Sequence, residues 1–236
     1  LIHGMWADRA HWNRYRRFFE RAGYDTSAFT LRYHSVPQNL AGLARMGLMD
    51  YVNQVRAQVA RLAQPPVVIG HSMGGLVAQK VAELEPLRAL VLISPCAPGG
   101  VWCITPSVIG CVGGNLLDAV LKRPFIIPPR NARYGLMNTL SAREQTVIQQ
   151  SFLHESGRVL WQILTGAVEV DESKVRCPVL VLVGSRDRAT PPIVARRIAR
   201  KYRADYREYP GGCHFLSAAA DVMQDVGEWV EQKVRQ

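Results

Sequence analysis

Apolar residues in this chain come in short unbroken runs set between longer stretches of helical periodicity. Residues 67–69, 90–93 and 179–183 are β-branched or aliphatic throughout, and 206–209 form a shorter, more polar run. Runs of this length, bounded by Gly or Pro, predict strands buried on both faces. Trp12, Tyr15, Phe18 or Phe19, and Ala22 share one helical face, which Gly23 closes. Asp50 is placed to cap a helix carrying Val52, Val55, Val59 and Leu62. The run at 67–69 is followed by a helix to about Glu85, stopped by Pro86. Further helices are expected from Pro192 to about Tyr202 and from Ala218 to Val234. In the first of these, Ile193, Ile198 and Tyr202 would face the core. Residues 1–3 read as a strand end, 26–31 as a strand, and 32–47 as a loop or broken helix. Strands alternating with helices predict an α/β fold, with a mostly parallel central sheet flanked by helices.

The alternation stops between about residues 97 and 173. Helical patterns appear there near 115–121, 134–140 and 142–153, with no strand of the buried type. This stretch reads as a helical cap inserted into a core made of residues 1–96 and 174–236.

The chain has 236 residues, 48% of them apolar, which supports a sizeable core and excludes a disordered chain. No apolar run approaches the roughly 18 residues that a membrane-spanning helix needs. The formal charge is +10, from 29 Lys and Arg against 19 Asp and Glu. Its densest cluster, Arg196, Arg197, Arg200, Lys201 and Arg203, falls on the outer face of a predicted helix and reads as solvated surface. No nucleic-acid motif accompanies it. A nucleic-acid partner is therefore not expected, and membrane association is not indicated. Of the five cysteines, Cys177 and Cys213 read as small buried residues. Cys96, Cys103 and Cys111 are near enough in sequence to include one disulfide, but reduced thiols are the favoured reading. No His or Cys spacing suggests a metal, and the Gly pairs form no phosphate or dinucleotide fingerprint, so no cofactor is expected. The sequence opens at Leu1-Ile2-His3-Gly4 with no initiator Met and no visible signal peptide. It reads as cytoplasmic, though the chain opens as if in the middle of a strand, which leaves open both an absence of earlier strands and a leader outside this numbering.

One short stretch carries chemistry. Gly70-His71-Ser72-Met73-Gly74 follows an apolar strand and opens an apolar helix. Gly-x-Ser-x-Gly in that setting is a nucleophile elbow: the turn strains the serine backbone, so its close neighbours must be small. A serine hydroxyl needs a base, and the base needs a carboxylate to orient it. In a parallel sheet both should lie on loops after strand C-termini. The loop after 179–183 offers Asp187 as its only carboxylate. The loop after 206–209 offers His214 behind Gly211 and Gly212. The loop after 90–93 reads Ser94-Pro95-Cys96 and holds no acid. Ser72, Asp187 and His214 thus fall in the chain order that this architecture uses. Donors for an oxyanion are expected from the N–H of Met73 and of Met5, beside Gly4. His3 reads as a structural hydrogen-bonding residue. His71 has no obvious role, and His11, His34 and His154 lack a loop context that recommends them. Trp6, Trp102, Phe125, Trp161 and Phe215 could line an apolar acyl pocket.

These motifs, together with Gly184-Ser185-Arg186-Asp187 and Gly212-Cys213-His214-Phe215, resemble the α/β-hydrolase superfamily over nearly the whole length. Within it the chain is similar to capped bacterial esterases and lipases related to monoacylglycerol lipases. The resemblance implies Ser72 as nucleophile, His214 as base and then acid, Asp187 as its orienter, and cofactor-free hydrolysis of a small-molecule ester through an acyl-enzyme. The same triad serves perhydrolases, carbon–carbon bond hydrolases and acyltransferases, and a scaffold of this kind can also act as a non-catalytic receptor. Two departures stand out: strands expected before the His-Gly loop are not in the numbering, and Leu31-Arg32-Tyr33-His34-Ser35 replaces the usual Arg-Gly-His-Gly.

Overall fold

The computed structural model describes residues 1–234. Four strands, β1 (Val67–His71), β2 (Ala89–Ile93), β3 (Val179–Gly184) and β4 (Asp205–Tyr209), form one sheet in the order β1-β2-β3-β4, every pair parallel. The eleven α-helices among the described residues are α1 (Asn13–Arg21), α2 (Leu40–Arg45), α3 (Leu48–Val59), α4 (Met73–Leu84), α5 (Pro106–Val112), α6 (Leu116–Val120), α7 (Pro129–Gly135), α8 (Ala142–Gln150), α9 (Gly157–Leu164), α10 (Pro192–Tyr202) and α11 (Ala220–Val234).

Strand periodicity sorts the side chains to two faces. Val68, Leu90, Leu92, Val179, Val181 and Val183 pack with residues of α3, α4 and α10. Ile69, Val91, Ile93, Leu180 and Leu182 pack with Trp12, Tyr15 and Phe19 on one side of the chain and Val226, Trp229 and Val230 of α11 on the other. Burying each such aliphatic side chain contributes about 1.5–3 kcal/mol against an exposed position. Both faces are therefore covered, as a parallel sheet requires. A third apolar cluster gathers Val108, Cys111, Phe125, Ile127, Leu136 and Leu160, from the segment between β2 and β3, around Trp6.

Several expectations change. Residues 26–31 form no strand. Among the described residues the neighbour on that edge of β1 is only Ile2, which makes an isolated parallel bridge to Gly70. The Thr30 and Leu31 backbone is satisfied by side chains instead, Gln54 donating to the Thr30 carbonyl at 3.0 Å and His3 accepting from the Leu31 N–H at 3.0 Å. Asp50 is not the cap of α3. Gly47 is, and Asp50 sits at the third helical position, accepting from the Gly47 N–H at 2.8 Å. Leu62 lies beyond the helix and is exposed. On α10, Ile193 is exposed and Val194, Ala195, Ile198 and Ala199 are buried, so the apolar face is rotated by one position. The helix expected at 134–140 runs earlier, as Pro129–Gly135, because Pro129 suits a first helical turn. Helices α5 and α9 were not anticipated, although Thr105 and Ser156 cap them through their hydroxyls. All five cysteines are free thiols.

Candidate active site

The turn after β1 fixes the serine. Ser72 has φ 55° and ψ −121°, a left-handed conformation rare for a residue with a side chain. Its N–H donates to the Ile93 carbonyl, and its own carbonyl accepts from Gly75, Leu76 and Cys96. The turn is tight enough that a Cβ on Gly70 would lie 2.4 Å from the Gly74 carbonyl oxygen, and one on Gly74 2.4 Å from the carbonyl oxygens of Ile2 and His3. The Ser72 hydroxyl rests 3.9 Å from Cys96 Sγ. Burial pushes that thiol up to about 12, so it stays protonated beside the serine.

The loops after β3 and β4 meet beside it. His214 Nδ1 lies 2.9 Å from Asp187 Oδ2 and 3.2 Å from Oδ1, both side chains almost fully buried. Asp187 Oδ1 also accepts from the N–H groups of Ala189 and Thr190, each at 2.9 Å. The Thr190 hydroxyl sits between Asp187 Oδ2, at 2.9 Å, and the Ser94 carbonyl, at 3.0 Å. The loop after β2 therefore supports the acid's loop without supplying an acid. With Asp187 accepting at both oxygens, the proton shared with His214 sits on Nδ1, which leaves Nε2 as the free lone pair. Among the described residues no hydrogen bond joins Ser72 to His214; the structure brings His214 and Asp187 together and leaves the serine hydroxyl against Cys96.

Two further histidines back this loop. His71 Nε2 donates to the His214 carbonyl at 3.0 Å, and its ring stacks on His11 with centroids 4.8 Å apart. His11 in turn reaches the Ser217 hydroxyl at 2.9 Å. Burial holds His3 and His71 well below the ordinary histidine value of 6.5, and brings His11 to about 4. These three are neutral when folded, while the unfolded chain takes up protons below pH 6.5. Stability from them is thus lost as pH falls from about 6.5 toward their folded values. His34 has the opposite sign. Burial lowers its pKa and is the largest single effect, but the charge of Glu155, 3.0 Å away, together with the hydrogen bonds to Glu155 and to the Arg32 and Leu31 backbone, outweighs it and raises the pKa. Its contribution is present below pH 6.5 and fades as pH rises through its folded value. Three groups outweigh one, so the melting temperature should fall steadily from pH 6.5 to about 4. A His11→Gln variant should show a shallower fall; an unchanged slope would remove His11 from the account.

The candidate oxyanion donors, Met5 and Met73, have backbone N–H groups with no protein acceptor among the described residues. Gly4 touches the nucleophile loop: a Cβ there would lie 2.9 Å from Ser72 Cβ. Trp6 and Phe125 are buried edge-on, 5.8 Å apart, and Phe215 packs against the same cluster. Trp102 and Trp161 stand outside it, 66% and 41% exposed. A cavity of about 30 Å³ opens beside Cys96 and is lined also by Ala97, Cys103, Val108, Ile163 and Thr190. From sequence, Cys96 and Cys103 were considered only for a disulfide, and none of these residues was read as lining a pocket. Only the position of Cys96, directly after a strand end, gave a signal.

A parallel sheet with a serine at a strand-to-helix elbow, and a His–Asp pair on the loops of the two far strands, defines the α/β-hydrolase class. The chain matches the model of the alpha/beta hydrolase family over residues 1–225 and belongs to that family. It is 26% identical over 182 residues to the thioesterase TesA of Mycobacterium marinum, a match covering 72% of this chain and 65% of that relative's length. Its fold is similar to that of a polyneuridine aldehyde esterase mutant (TM-score 0.74, 16% identity, 98% of this chain and 96% of that one). It is also similar to a monoacylglycerol lipase of Paleococcus ferrophilus (TM-score 0.71, 19% identity, 98% and 93%). A tomato methylketone synthase I complexed with 2-tridecanone shares the fold as well (TM-score 0.73, 14% identity, 98% and 96%). Among the described residues no helix is long and apolar enough to cross a membrane.

Proposed function

We propose that this protein hydrolyses carboxylic esters with small apolar acyl groups, through an acyl-enzyme on Ser72. The observation that carries the reading is the His214–Asp187 pair at 2.9 Å, on loops facing a serine held in the strained elbow conformation. In this reading the Ser72 hydroxyl leaves Cys96, and His214 Nε2 takes its proton as the oxygen attacks the ester carbonyl. The Met5 and Met73 N–H groups would hold the resulting oxyanion. Collapse breaks the carbon–oxygen bond of the ester, and the alcohol leaves with the proton from His214. Water, deprotonated by the same nitrogen, then releases the acid and frees Ser72. The segment 97–173 acts as the cap, closing the cavity at Cys96 with Val108 and Ile163. At about 30 Å³ the cavity has room for about two water-sized groups, the bulk of a short acyl tail. It favours acetyl and propionyl esters over long chains. Trp6, Phe125 and Phe215 border the site as an apolar wall, and the exposed Trp102 and Trp161 are less suited to that role.

The likeness to TesA favours a second reading, a thioester substrate, which the same residues would attack in the same way. One experiment decides between them: p-nitrophenyl esters of two to ten carbons compared with the matching N-acetylcysteamine thioesters, for wild type and Ser72→Ala. Ester turnover, greatest at short chains and reduced by about 10⁵-fold or more in Ser72→Ala, is the expected result. Preference for thioesters would install the second reading. Turnover that survives Ser72→Ala would sink both.

A further inference from the structure

The loop that carries the Met5 N–H is held on both sides. Ahead of Met5, the Gly4 carbonyl lies 2.8 Å from His3 Nδ1. A carbonyl can only accept, so Nδ1 carries the proton, and Nε2 of the same ring is the acceptor for the Leu31 N–H at 3.0 Å. Two backbone groups thereby fix one neutral tautomer of a fully buried ring. Behind Met5, the Trp6 carbonyl accepts from the N–H of Leu153, in the inserted segment, at 2.9 Å. Trp6 itself has φ 60°, a backbone state that a bulky residue holds only when its surroundings impose it. Two residues past Leu153, Glu155 pairs with His34 at 3.0 Å and accepts from Tyr51 at 3.0 Å. The His34 ring stands edge-on to His3, centroids 5.2 Å apart.

A trans peptide points its C=O and its N–H in opposite directions. Tying the Gly4 oxygen to His3 therefore turns the Met5 N–H away from that ring, on a loop whose Gly4 touches Ser72. Freed from His3, the same peptide could turn over and present an oxygen where a donor is needed.

We propose that His3 is a positioning residue: its Nδ1–H, together with the Leu153 N–H, clamps the Gly4–Trp6 loop so that the Met5 N–H faces the carbonyl under attack at Ser72. The inference rests on Ser72 being the nucleophile. It makes the inserted segment part of the transition-state machinery as well as a cover for the cavity.

The test separates the two bonds His3 makes. His3→Gln keeps an acceptor for the Leu31 N–H and loses the donor to Gly4; His3→Asn keeps a donor near the Nδ1 position. Both are assayed on p-nitrophenyl acetate, with a methyl trifluoromethyl ketone as inhibitor, because its hemiketal oxyanion occupies the donors' site. His3→Gln should lower kcat by about 10²-fold, as loss of one oxyanion donor does. KM should stay within about twofold, the mark of an interaction made only in the transition state. Inhibitor affinity should weaken by the same factor as kcat/KM, and His3→Asn should recover most of the loss. A loss confined to KM, an inhibitor affinity that does not follow kcat/KM, or equal damage in His3→Asn and His3→Gln would overturn the proposal. Labelling of wild-type Ser72 by a fluorophosphonate separates this from the broader reading. An active, labelled wild type with a fully active His3→Gln overturns the clamp alone, whereas a wild type that is neither labelled nor active overturns both.

Discussion

Asp187→Asn should fold as the wild type does and turn over its ester about 10⁴-fold more slowly, the loss expected when a triad histidine is held in the wrong tautomer. The reason can be read from the acceptor pattern. Asp187 Oδ1 receives two backbone N–H bonds, from Ala189 and Thr190, both at 2.9 Å. In the variant that position must keep the amide oxygen, because an NH₂ there would face two donors. The NH₂ is therefore sent to the Oδ2 position, toward His214 Nδ1 and the Thr190 hydroxyl. It can only donate. His214 must then accept at Nδ1 and carry its proton on Nε2, where it cannot take the proton of Ser72. Thr190 still has the Ser94 carbonyl for its own proton at 3.0 Å, so the buried polar groups remain satisfied and the fold is kept. Steady-state kinetics with a thermal melt check both halves. A rate within tenfold of wild type, in a protein that melts normally, would mean that another group orients His214.

Which parts of this arrangement were legible beforehand depends on the range of the interactions involved. The three apolar runs and the elbow were, because a buried parallel strand and a strained serine turn each demand particular residues over a few consecutive positions. Asp187 and His214 were legible once the sheet was, since a parallel topology gathers the C-terminal loops at one edge. The stretch 26–31 was not. Its residues suit a strand, but a strand needs a neighbour, and Gln54 and His3 satisfy its backbone instead. His34 and Glu155 are 121 residues apart and each looks ordinary alone; only the packing of the segment between β2 and β3 onto α3 makes them a buried pair. Trp161 shows the converse. Its size suggested a pocket wall, yet on α9 the buried face belongs to Val159, Leu160 and Ile163, and Trp161 falls on the exposed one. Thr190 and Cys96 are the same kind of case, since their roles come from loops that meet only in the folded sheet.

Gly70→Ala should be among the most damaging single methyl additions in the molecule, lowering stability by about 3 kcal/mol and removing activity with it. The added Cβ would lie 2.4 Å from the Gly74 carbonyl oxygen, 2.8 Å from the Gly74 carbonyl carbon and 2.8 Å from Gly75 Cα. All three are backbone atoms of the first turn of α4, so no side chain can swing aside to admit it. Relief requires α4 to move off the end of β1. That movement is opposed because Gly74 is itself pressed against the Ile2 and His3 carbonyls, where its own Cβ would have 2.4 Å. Three segments, the chain start, the end of β1 and the start of α4, thus meet without room for a carbon. The same contacts hold Ser72 at φ 55° and aim the Met73 N–H. Stability and catalysis should therefore fail together: in urea the midpoint should drop with little change in slope, and fluorophosphonate labelling of Ser72 should slow even in the fraction that remains folded. An alanine variant with a wild-type midpoint would show that the elbow is looser than its geometry implies, and would remove the steric reason for glycine at this position.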